Sequence, residues 1–146
     1  MPSFLPKIRP RILCLRNGKK PISYLLLFQA KRQRERPNNM ERGAIYWVNF
    51  EPAASPEFGK MRPAIVISNV EHNMRLPTVI VVPVSSKPPV LWPLRLSFKM
   101  PRGKTSYAIL PGLRQVNKTR LHDMIGLVSN SFLKEMIEAV NAYLGE

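Results

Sequence analysis

The run Thr78-Val79-Ile80-Val81-Val82-Pro83-Val84 is the feature that most restricts what this chain can fold into. It is almost wholly β-branched, and both of its alternations are apolar. Such a run reads as a central strand, with Pro83 ending the pairing or sitting at a bulge. Shorter runs surround it. Gly43 to Phe50 and Pro63 to Ser68 read as strands, Pro63 standing at a first position where its missing N–H is tolerated. Leu94 to Phe98, Ser106 to Leu110, Leu113 to Val116 and Met124 to Val128 read likewise. Glu51 to Met61 and Val70 to Pro77 read as loops, and Arg102-Gly103-Lys104 as a turn. Then the period changes. Leu133, Met136, Ile137, Val140 and Leu144 recur at helical spacing, with N-cap candidates at Ser129-Asn130-Ser131 and a stop at Gly145. The expected class is mainly β with a C-terminal helix, a sandwich or small barrel whose face or mouth the helix covers.

At 146 residues the chain has room for one domain and a tail. Its net charge of +14 is uneven. Residues 1–39 hold ten Lys/Arg against the single acid Glu35. They also carry five prolines and one apolar run, Tyr24 to Phe28, far short of the roughly 20 residues that span a bilayer. No clear secretory signal is present, which points to the cytoplasm. The division expected is a basic, disordered extension over 1–39 and a folded domain over 40–146, with Met40 the natural start. The milder basic excess of the body favours a polyanion or an acidic partner.

Several chemistries lack their residues. The lone cysteine, Cys14, excludes an internal disulfide framework and cysteine-built zinc sites. No paired His spacing, phosphate-binding glycine loop or nucleophile elbow is present. The two histidines, His72 and His122, read as surface residues. One combination remains. Arg62 opens a strand and Ser85-Ser86 end the most apolar one, so a small antiparallel sheet can bring them to one rim. A guanidinium grips phosphate through two parallel bonds and a serine hydroxyl can donate to it, though a serine after a strand is more often a turn cap.

Four ordered blocks resemble the MazF/PemK/Kid toxins of bacterial toxin–antitoxin systems. Met40 to Pro52 contains Arg42-Gly43-Ala44-Ile45-Tyr46-Trp47-Val48-Asn49-Phe50, similar to the family's opening. Ser55 to Asn69 contains Arg62-Pro63-Ala64-Ile65-Val66-Ile67-Ser68-Asn69. Leu76 to Ser86 and Leu113 to Leu121 supply the other two. The resemblance covers none of residues 1–39. It implies a small, partly open antiparallel β-barrel of the CcdB/PemK type, akin to Src-homology-3 barrels, working as a homodimer. It implies a toxin that cuts single-stranded RNA, often mRNA, at short sequences without metal or other cofactor, leaving a 2′,3′-cyclic phosphate. It also implies a cognate antitoxin that lays an acidic, disordered segment over the RNA groove.

Carried over position by position, the resemblance makes Arg62 and Ser85 catalytic and Glu57 a candidate base or substrate contact. Arg62 is assigned to charge stabilisation, because a guanidinium holds its proton too firmly to be a good proton shuttle. Ser85 replaces the family's threonine and keeps a hydroxyl. Lys60, Ser86, Asn69 and Trp92 are the RNA-binding candidates. Bland readings stand beside them: Asn69 as a turn cap, Arg114 as a structural partner of a carboxylate or carbonyls, and Trp47 as core. The chain departs from Kid-like members in one respect. The arginine and acid of their acid/base pair fall on Ile109 and Pro111, and their loop histidine on Pro56. The alternatives are therefore a degenerate member that binds antitoxin or RNA without cutting, and a CcdB-like gyrase inhibitor. The ending Ala142-Tyr143-Leu144-Gly145-Glu146 lacks the C-terminal signature associated with the latter.

Overall fold

The computed structural model describes residues 40–145; the readings made for residues 1–39 lie outside that range. Along the chain come β1 (Ala44–Asn49), β2 (Met61–Val66), α1 (Val70–Arg75), β3 (Thr78–Ser85), β4 (Arg95–Lys99), β5 (Thr105–Ile109), β6 (Arg114–Asn117), β7 (Leu121–Leu127) and α2 (Asn130–Leu144). The strands pair antiparallel in the order β4-β5-β3-β2-β1-β7, and β6 joins the edge of β3 beside β5. The path stays open, with β4 and β7 at its ends.

The apolar central run follows from burial on both faces. Ile45 lies opposite Ile65, and Ile65 opposite Val82, so one row crosses β1, β2 and β3. That row joins Leu96, Ala108, Phe132, Met136 and Ala139 in a cluster against α2. The alternate positions Tyr46, Val48, Ala64, Val66, Val79 and Val81 form a second cluster with Phe50, Val116 and Leu121. A strand with both faces covered has no polar alternation to show.

Three local readings change. Pro83 does not end the pairing: it lies opposite Ala64, and β3 runs on to Ser85, where β5 takes over as partner. The expected polar loop at 70–77 contains the short helix α1, capped by the Asn69 side chain accepting from the Glu71 N–H at 2.9 Å. Six residues are too few for a helical period to emerge. In α2 the buried residues are Phe132, Met136 and Ala139, while Leu144 is 70% exposed and lies beyond the core. Ser129 caps its start, its hydroxyl accepting from the Phe132 N–H at 3.2 Å, and Gly145 ends it with φ at +97°, which favours glycine. Phe132 stacks on Phe98 at 4.8 Å between centroids, tying the helix to β4.

Candidate active-site cleft

The face of the sheet that packs on α2 continues past the helix. Trp47, Pro63 and Val84 share the alternation of Ile45, Ile65 and Val82 and line a cleft of about 940 Å³; Val84 is buried, Pro63 half-buried and Trp47 exposed. Trp47 therefore is not core: it is 41% exposed in a strand whose other central residues are buried. Arg62, Ser85 and Ser86 line the same cleft, so strand ends read separately from sequence do meet.

Arg62 is held by its own loop. Its Nε donates to the Gly59 carbonyl at 2.9 Å, which leaves both Nη groups for a ligand. The turn before it is tight. Lys60 has φ at +63°, and its N–H donates to Glu51 Oε1 at 2.6 Å. A Cβ on Gly59 would lie 2.7 Å from that same oxygen, so a side chain there would push the Glu51 carboxylate off the Lys60 N–H. The Arg62 guanidinium lies 5.2 Å from the centroid of the Phe58 ring, a cation–π distance. Phe58 in turn leans on Gly112, where a Cβ would come within 2.8 Å of its ring and 2.5 Å of Pro83.

Ser85 fulfils its bland reading and keeps the other available. Its Oγ accepts from the Lys87 N–H at 3.2 Å, while the hydroxyl proton stays free to donate. Lys87, Arg95, Arg102 and Lys104 add cations to the lining, and Asp123 is the one acid among the described residues there. Arg95 Nη2 donates to the Lys87 carbonyl at 3.0 Å; its buried Nε has no partner among the described residues. Five cations against one acid in a concave site concentrate anions.

Other candidates lie elsewhere. Glu57, Lys60, Asn69 and Trp92 are not among the lining residues. Glu57 sits 3.6 Å from Arg114, whose Nη2 donates to the Phe50 carbonyl at 2.7 Å and whose guanidinium stacks 4.6 Å from the Phe50 ring. Arg114 thereby fastens the first loop to β6. Asn69 caps α1, and Trp92 is exposed in the β3–β4 connection. Ile109 is buried, and neither it nor Pro111 reaches the cleft. His72 and His122 are exposed and also outside it. Lys87, Arg95, Arg102, Lys104 and Asp123 were not singled out from sequence. Arg102-Gly103-Lys104 carried a signal, two cations at one turn, but gave no hint of which face the turn joins. Among the described residues no three His, Cys, Asp or Glu side chains gather as metal ligands would, and no helix is long and apolar enough to cross a membrane.

The family described as the PemK-like, MazF-like toxin of type II toxin–antitoxin systems matches residues 41–144. An endoribonuclease MazF of Staphylococcus saprophyticus is 31% identical over 111 residues, covering 73% of this chain and 92% of its own. MazF of Deinococcus radiodurans superposes with a TM-score of 0.65 at 23% identity, covering 73% of this chain and 97% of that one. A mycobacterial endoribonuclease in complex with its cognate antitoxin superposes at 0.59 with 20% identity, covering 74% and 95%. At those identities the two structures speak to the fold.

Proposed function

This chain belongs to the PemK-like, MazF-like toxins of type II toxin–antitoxin systems, and from that membership we propose that it is a toxin that cuts single-stranded RNA. The observation that carries the reading is the convergence of Arg62, Ser85 and Ser86 in one cationic cleft. The RNA's 2′-oxygen attacks the adjacent phosphorus. The O2′–P bond forms, the P–O5′ bond breaks, and the products are a 2′,3′-cyclic phosphate and a 5′-hydroxyl. The free Nη groups of Arg62 face the negative charge that builds on the phosphoryl oxygens, and fixed donors of this kind are worth about 10²–10³ in rate. Ser85 donates its hydroxyl proton to a phosphoryl oxygen, and Ser86 and Lys87 hold the flanking backbone. Glu57 stands outside the lining, so the proton leaving O2′ passes to water and O5′ takes one from water. No step draws on a metal.

The partners follow the same charge. Acidic side chains of an antitoxin segment fit the cleft that fits phosphates, and blocking it would neutralise the toxin. Such toxins work as homodimers, and we assign that state here.

The test is to incubate the protein with a long RNA in EDTA and map the new 5′ ends. Cuts at one short motif, blocked by a single 2′-deoxy sugar before the break, are expected. An intact RNA from a folded protein overturns the nuclease reading, and RNA bound but uncut selects the degenerate binding module.

A further inference from the structure

Asp123 is out of keeping with a site built for phosphates. It lies in β7, is exposed, and lines the cleft beside five cations, yet it forms no ion pair with a described residue. A carboxylate there repels the RNA backbone, so its place needs a group that only an acceptor can serve. The adjacent strand offers a platform. Met124 lies opposite Tyr46 in the β1–β7 ladder, and Trp47, the next residue of β1, lines the cleft together with Met124. Both flanking side chains are open: Trp47 is 41% and Met124 49% exposed. Single-stranded RNA is read by splaying a base onto an aromatic side chain and hydrogen-bonding its Watson–Crick edge.

An ionised carboxylate presents two acceptors and no donor. Guanine alone among the four bases places two donors side by side on that edge, N1–H and N2–H. Cytosine and adenine each set their amino donor next to a ring-nitrogen acceptor, and uracil sets N3–H between two carbonyls. Each of those three would leave one carboxylate oxygen facing another acceptor. We propose that Trp47 and Asp123 form a base-reading subsite of the cleft that selects guanine at one fixed position of the RNA. The proposal rests on the RNA-cutting reading and adds to it a specificity-determining residue that makes no part of the chemical step.

Two randomised pools separate the two claims, with the full chain and its Asp123→Asn variant, both checked for cooperative melting. The first pool is RNA, read by cut sites. The second is 2′-fluoro RNA, which has no attacking hydroxyl and is read by retention on the protein. Guanine at one fixed position in both pools is expected, favoured about tenfold or more over the other bases. In Asp123→Asn that preference disappears and the cut sequences change; replacing the selected guanine by inosine, which lacks the N2 amine, weakens retention by the wild type several-fold. Cuts without a fixed guanine overturn the subsite and leave the nuclease standing. Guanine retention without cuts overturns the nuclease and leaves the subsite standing. Neither cuts nor enrichment overturns both. If Asp123→Asn stops cutting of every sequence while retention keeps its guanine, Asp123 moves a proton rather than reads a base, and the proposal fails.

Discussion

Gly112→Ala tests how the cleft holds its arginine. Gly112 belongs to the tight turn Leu110–Gly112 between β5 and β6, remote in sequence from Arg62. An added Cβ would sit 2.5 Å from Pro83 Cγ and 2.8 Å from Phe58 Cδ2. Pro83 is fixed in the middle of β3, opposite Ala64, so Phe58 is the group that can yield. Overpacking of this kind costs about 1–3 kcal/mol. The Phe58 ring supports the Arg62 guanidinium at 5.2 Å, so a displaced ring removes that support. A catalytic group displaced by roughly 1 Å can lose on the order of 10²-fold in rate. Urea denaturation reads the first effect and cleavage of one mapped RNA site reads the second. We expect both to fall, with the rate loss persisting at a temperature where the variant is fully folded. A variant destabilised by the stated amount that cuts at the wild-type rate would show that Phe58 does not position Arg62, and an unchanged stability would refute the packing argument itself.

Two further perturbations probe single features. Lys60 adopts a left-handed φ of +63°, a conformation that disfavours a side chain by about 1–2 kcal/mol, so Lys60→Gly should leave the denaturation midpoint unchanged or raise it. If its ammonium contacts a phosphate, the same variant binds RNA more weakly and with a shallower salt dependence; unaltered binding removes it from the RNA contacts. Burial, with a smaller contribution from the Glu41 carboxylate, pushes the Tyr46 phenol above its ordinary value of 10.0. The folded state then holds the phenolic proton more tightly than the unfolded state. That contribution is complete below pH 10 and is lost as pH rises through the folded value. Denaturation midpoints measured across that range should decline in the wild type and decline less in Tyr46→Phe; parallel curves would contradict the assignment.

Much of the fold was legible because burial writes itself into side chains. The doubly covered β3 had to be apolar throughout, and α2 had to show a helical stripe, so both stood out. Pro83 misled because a lost N–H matters only where a partner needs it. Trp47 misled for the opposite reason: its type and strand position suit a core, and only the end of α2 leaves it uncovered. Arg62 and Ser85 were found because two strand ends meet at one rim. Lys87, Arg95, Arg102, Lys104 and Asp123 come from four separate segments, and only the folded sheet brings them together. Glu57 lies in the expected loop, but Arg114 holds it to β6, an attachment visible only once β6 is placed beside β3.

The central claim is that RNA is cut in the cleft that Arg62 shares with Ser85. The most direct test is the single-turnover rate at one mapped site for the wild type and for Arg62→Ala, at matched folded fractions. A loss of about 10²-fold or more is predicted, from the charge that the guanidinium no longer stabilises. Equal rates from two folded proteins would contradict the account and place the reaction elsewhere on the molecule.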